Sequence, residues 1–170
     1  GETLDHLHRL DYPNYEVLVV NVGSSDSTQK IAARFPGVRL IRIPNGGLSA
    51  ARNVGAEAAR GEIVAYIDDD AYPDRHWLQY LAHTYLTTEH AGVGGPNIPP
   101  PGDGPIAEAV ANAPGGPNHV LLSDTEAEHI PGCNSSFRRS CLMAVEGYDP
   151  AFRVAGDDFD VCWLMQDRGW

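Results

Sequence analysis

Glu62-Ile63-Val64-Ala65-Tyr66-Ile67 runs straight into Asp68-Asp69-Asp70, so a short apolar stretch ends on three carboxylates. A run of this length and composition reads as a buried strand. The three acids then sit at its carboxyl end, where open α/β sheets bind ligands. Adjacent negative charges repel one another unless a cation joins them, and a hard divalent ion shared with phosphate oxygens is the commonest partner. The triplet therefore points to a metal-bound, phosphate-bearing substrate. Taken alone, a solvated turn leading into Ala71-Tyr72-Pro73-Asp74 accounts for it as well.

The flanking pattern sets this strand in a larger fold. Leu4, Leu7 and Leu10 recur at near-helical spacing. Tyr15 to Val22 is a continuous Val-containing run, as expected of a strand covered on both faces. Asp26 with Gln29 reads as a capping box opening a helix that reaches Phe35. Val38 to Ile43 is the next strand, and Pro44-Asn45-Gly46-Gly47 turns the chain into a helix from Leu48 to Ala59. This alternation predicts an α/β protein with a mostly parallel, doubly wound (Rossmann-like) sheet and helices on both faces.

Beyond the triplet, Trp77, Leu78, Leu81, Tyr85 and Leu86 mark another amphipathic helix, and Gly92 to Ile98 reads as a strand. Pro96 to Pro117 holds over half of the thirteen prolines and predicts a long irregular excursion, with a short helix at Ile106 to Ala111. Order returns with a strand over Pro131 to Phe137 and a short helix over Arg139 to Val145. Asp157, Asp158 and Asp160 then occupy the first turn of a last helix through Gln166, where the helix dipole favours acids.

The chain of 170 residues fits one domain. Its net charge of −11 and pI near 4.9 argue against a general nucleic-acid binder, since no basic run is present to neutralise a phosphate backbone. No membrane-spanning run is present, and a cytoplasmic setting is expected. Any attachment at the inner membrane face would come from other parts of a parent protein. Cys133, Cys141 and Cys162 are odd in number and lack Cys-x-x-Cys spacing, so neither a disulfide framework nor a zinc site is suggested. A chain that opens at Gly1 inside a helix and stops at Trp170 just after another reads as a piece of something longer, incomplete at both ends.

Five motifs follow one another in order: Val20-Asn21-Val22-Gly23-Ser24-Ser25-Asp26-Ser27-Thr28; Asn45-Gly46-Gly47-Leu48-Ser49-Ala50-Ala51-Arg52-Asn53-Val54-Gly55; Gly61 through Asp70; Gly132-Cys133-Asn134-Ser135-Ser136-Phe137-Arg138-Arg139; and Gly156-Asp157-Asp158-Phe159-Asp160. Together they resemble the family 2 glycosyltransferases of GT-A fold, from about Tyr12 to Trp170. The resemblance implies transfer of a sugar, with inversion, from a nucleoside diphosphate sugar donor to a saccharide or lipid-linked acceptor, in cell envelope polysaccharide biosynthesis. It implies a nucleotide-binding half over residues 1–95 and an acceptor-binding half over residues 96–170. The Asp triplet matches the family's Asp-x-Asp motif, with Asp70 the main ligand of Mg²⁺ or Mn²⁺, Asp68 an accessory and Asp69 a neighbour on the donor side. Asn21, Ser24, Asp26 and Arg52 match donor-binding positions. Asn134 and Asp157 fall on the acceptor side, and Asp158 matches the general base.

Two departures stand out. Asn21-Val22 replaces the family's usual acidic pair, one of which recognises the base; Asn21 keeps a donor and an acceptor, whereas Val22 has neither. The family's first, central strand would precede Glu2, and its absence leaves unpaired backbone groups on two neighbouring strands. These departures motivate an alternative, a catalytically impaired nucleotide-sugar binding domain; a sugar nucleotidyltransferase is a further one. A dinucleotide oxidoreductase is disfavoured, because Val22-Gly23-Ser24-Ser25 lacks the Gly-x-Gly-x-x-Gly fingerprint.

Overall fold

Periodicity and turn chemistry place the elements much where the sequence predicts. The computed structural model describes residues 1–24, 27–98, 102, 104–111, 122–123, 125–153 and 155–170. In chain order the elements are α1 (Glu2–Leu7), β1 (Val17–Asn21), α2 (Thr28–Ala32), β2 (Val38–Arg42), α3 (Leu48–Ala58) and β3 (Ile63–Ile67). They continue as α4 (Trp77–Thr87), β4 (Gly92–Gly94), α5 (Pro105–Ala111), β5 (Asn134–Arg138), α6 (Arg139–Ala144) and α7 (Asp157–Asp167). The expected cap at Asp26 and much of the Pro96 to Glu128 stretch lie outside the described residues.

Strand pairing is more mixed than the alternation predicts. β1 and β2 pair in parallel, with Val17 opposite Val38 and Asn21 opposite Arg42. β3 instead pairs antiparallel with β5, Ile67 lying opposite Asn134, and β4 lies antiparallel on the other side of β5. A sequence period reports which faces are buried, but it carries no sign for the direction in which a returning strand runs. β5 returns only after the long proline-rich excursion, so its direction was invisible.

The two ladders are not hydrogen-bonded to one another. An apolar cavity of about 790 Å³ is lined by Leu18 and Val20 of β1, Ala65 and Ile67 of β3, and Leu78 and Leu81 of α4. α3 packs against β1, with Gly55 beside Val20.

The core lies beside the antiparallel ladder. Val64 and Phe137 face one another across it and pack with Ala56, Leu142, Tyr148, Val161 and Met165, all buried. Two arginines at the end of β5 tie helices to this sheet. Arg138 donates to the carbonyls of Tyr85 and Thr88 at the end of α4, and Arg139 to those of Ala56 and Glu57 at the end of α3. Cations suit these positions because the last carbonyls of a helix lack partners within it.

Ahead of β1, Glu16 joins three segments: its carboxylate accepts from Arg39 of β2 at 2.6 Å and from the Arg60 backbone N–H at 2.6 Å. Burial pushes the carboxyl up, but these hydrogen bonds and the charge of Arg60 outweigh it and hold it at about 2, against an ordinary 4.5. The stabilisation is therefore full above pH 4.5 and fades as pH falls toward 2. Both arginines are partly exposed, so screening limits the effect. Glu16→Gln is expected to cost about 1 kcal/mol in urea unfolding at pH 7 and almost nothing near pH 2.

Candidate active site

The Asp triplet leaves β3 in a turn, with the Ala71 N–H donating to the Asp68 carbonyl at 3.2 Å. Helix α1 holds this turn from below: the Thr3 hydroxyl donates to the Asp69 carbonyl at 2.5 Å, and the Tyr72 hydroxyl to the Glu2 carboxylate at 2.5 Å. All three carboxylates are exposed. Partial desolvation raises Asp68 above the usual carboxylate range; Arg52 opposes this, while Asp70 and Asp69 add to it by like-charge repulsion.

The second acidic group enters from the far end of the chain. Gly156, at φ 95°, adopts a left-handed conformation that a side chain would resist, and turns the backbone into α7. Asp157 points inward, 3% exposed, and pairs with Arg52 of α3, itself 8% exposed. The Arg52 guanidinium also lies over the Tyr148 ring, 5.3 Å from its centroid. Asp158 is half-buried and accepts the Gly132 N–H at 3.1 Å and the Phe159 N–H at 3.1 Å.

Cys133 lies between Gly132, which grips Asp158, and Asn134, which pairs with Ile67 at the end of β3. Burial pushes its thiol up, and the charges of Asp68 and Asp158 push it further, against the opposing charge of Arg52. One half-buried thiol thus feels the carboxylate at the end of β3 and the one at the start of α7. The arrangement can hold an anionic ligand through a cation on the Asp68–Asp70 side and receive a proton on the Asp158 side.

The remaining expected positions spread around this centre. Asn21, 4% exposed, ends β1; its Oδ1 accepts the N–H groups of Gly23 and Ser24 at 2.9 and 2.8 Å, while its buried Nδ2 has no partner. Ser24 is exposed beside it, and Asp26 lies outside the described residues. Asn134 sits next to the triplet by register, accepting from Trp77 Nε1 at 3.0 Å and donating to the Pro96 carbonyl at 3.4 Å.

Among the described residues, no three His, Cys, Asp or Glu side chains converge to cage a metal. The donor set still suits Mg²⁺ or Mn²⁺, hard ions usually bound by one or two carboxylates together with substrate phosphates and water. The exposed, mutually repelling carboxylates of Asp68 and Asp70 would supply the protein's share of such a shell.

Sequence reasoning missed several groups that shape the site. Asn53 exchanges two hydrogen bonds with the Tyr148 backbone, at 2.7 and 2.8 Å, and Ser49 donates to the Phe152 carbonyl at 2.6 Å. Arg52 and Asp157 appeared as separate ligand contacts rather than as partners. Their partners lie about a hundred positions away, and no local spacing signals such a contact.

The α/β fold, with acids at a strand end and at the start of a late helix, is that of the GT-A class. Solved structures agree: mannosyltransferase PcManGT from Pyrobaculum calidifontis, in complex with GDP-Man and Mn²⁺, superposes with a TM-score of 0.71 at 25% identity, over 99% of this chain and 48% of that one. S. aureus TarS in complex with UDP shares the fold, with a TM-score of 0.69 at 19% identity over 95% of this chain and 49% of TarS.

The sequence model of glycosyl transferase family 2 matches residues 1–145, and the chain belongs to that family. Among curated relatives, the glucosyl-dolichyl phosphate glucuronosyltransferase of Haloferax volcanii is 27% identical over 92% of this chain and 53% of its own length. The pre-mycofactocin glycosyltransferase of Mycobacterium tuberculosis is 29% identical over 90% of this chain and 34% of its own length. The chain thus spans about half or less of the relatives it matches. Among the described residues, no helix is long and apolar enough to cross a membrane.

Proposed function

We propose that this chain carries the donor site and catalytic base of an inverting, metal-dependent glycosyltransferase. The observation that carries the reading is that one short segment joins the two acidic groups: the Gly132 N–H donates to Asp158 at 3.1 Å, and Asn134, two residues on, lies opposite Ile67 at the foot of the triplet. A donor diphosphate at the triplet and an acceptor hydroxyl at α7 would then meet within one small site. The buried, unpartnered Nδ2 of Asn21 offers a donor to an acceptor atom of the nucleotide, since Oδ1 is already committed to the loop. PcManGT holds GDP-Man with Mn²⁺ and TarS holds UDP, which supports a nucleoside diphosphate sugar as donor here.

Asp158 takes the proton from the acceptor hydroxyl as its oxygen attacks the anomeric carbon. The bond from that carbon to the diphosphate oxygen breaks on the opposite face, inverting the centre. A divalent cation held by Asp70 and Asp68 would neutralise the charge gathering on the leaving diphosphate. The acceptor, saccharide or lipid-linked, enters from the Asn134 and α7 side. Transfer would take place at the cytoplasmic face of the envelope, in polysaccharide assembly.

Donor turnover by the full-length protein, assayed with Mn²⁺ or Mg²⁺ across several nucleoside diphosphate sugars, tests this reading. Asp70→Ala or removal of the metal with a chelator is expected to lower turnover by at least about 10²-fold. A wild-type rate from Asp70→Ala would sink it. Asn21-Val22, standing where the family has its acidic pair, favours one second reading, a domain that binds nucleotide sugar without turning it over. Metal-dependent donor binding by calorimetry with no turnover in the full-length protein would support that reading.

A further inference from the structure

Resting on the assignment of Asp158 as the base, we infer that Arg52 and Asp157 form a positioning pair whose task is to aim the Asp158 carboxylate. The guanidinium of Arg52 touches both structures that hold Asp158. Through its buried ion pair with Asp157 it fixes the backbone immediately before the base. Its other side lies against Gly132, so closely that a methyl group there would overlap the guanidinium. The Gly132 N–H is itself the donor that grips Asp158 Oδ2 at 3.1 Å.

Three neighbours restrain the pair. Ser49 Oγ lies 3.4 Å from Asp157 Oδ2, the Tyr66 hydroxyl donates to the Arg52 carbonyl at 3.2 Å, and the Tyr148 ring lies beneath the guanidinium. A guanidinium so enclosed has little freedom to follow a donor phosphate. Its rigid fork can instead set two parts of the chain, residue 132 and residue 157, at one distance from each other. Asp158 hangs between them. Arg52 then acts through Asp158, and Asp157 serves as a strut rather than as an acceptor contact.

The test is the split between kcat and donor KM in the full-length protein, using GDP-mannose and UDP-N-acetylglucosamine with Mn²⁺ as probes. Asp157→Asn and Arg52→Lys are each expected to lower kcat about 10- to 100-fold while donor KM stays within about threefold. Added to Asp158→Asn, neither is expected to lower kcat further, because a mis-aimed base and an absent one are lost in the same step. A raised donor KM with kcat retained would overturn the inference and return Arg52 to the nucleotide. Losses that multiply with that of Asp158→Asn would overturn it too. Should Asp157→Asn fail to fold, Gly132→Ala carries the same test, since it displaces the guanidinium without removing a polar group. A wild-type rate from Asp158→Asn alone would remove the underlying base assignment, and the inference with it.

Discussion

Asp158→Asn is expected to lower sugar transfer by roughly 10² to 10⁴-fold, the usual worth of a positioned general base, with donor affinity nearly unchanged. The substitution preserves shape, and with its one amide oxygen turned to the Gly132 N–H it keeps the anchor of the loop around Cys133 while giving up the Phe159 contact. What it removes is the site for the acceptor's proton. Single-turnover transfer measured beside equilibrium donor binding separates the two effects. A fall in donor affinity to match the fall in rate would place Asp158 on the donor instead, and an unchanged rate would leave the acceptor without a base.

Phe137→Ala is expected to destabilise the fold by about 3–5 kcal/mol, a large share of the roughly 5–15 kcal/mol that holds a domain together. Phe137 is 1% exposed at the centre of the antiparallel ladder and meets the Tyr148 ring edge-on at 6.3 Å between centroids. Its ring also fills the space beside Gly92, where a Cβ would come within 3.0 Å of it. The ladder packs on this cluster and, among the described residues, no strand is bonded to the outer edge of β3, so little else absorbs the loss. Urea unfolding followed by tryptophan fluorescence reads the effect. A loss below about 1 kcal/mol would mean that the surrounding core collapses into the space.

Much of the fold was legible because its helices and strands carry their own periods. The Val-rich run of β1, the Pro44 to Gly47 turn ahead of α3 and the acidic first turn of α7 each announced an element within a few residues of its bounds. The candidate centre was legible in pieces: Asp68, Asp70, Arg52 and Asp158 drew attention by residue type and place along the strand-helix order. Their mutual geometry was not. Asn21 read as a contact for the base, and the structure adds that half of its amide already closes the turn to Ser24.

The α/β class, the order of elements and the carboxylates at the strand end and helix start were readable from residue order alone. These rest on local rules, namely burial period, turn residues and helix dipoles, which act over a few positions. That β3 runs against β5, that β1 and β3 stand apart across an apolar cavity, and that Arg52 is bound to Asp157 emerged with the folded chain. Those outcomes depend on which distant segments share a buried volume. A desolvated guanidinium takes the nearest carboxylate that the fold brings to it, and chain spacing carries no record of which one that will be.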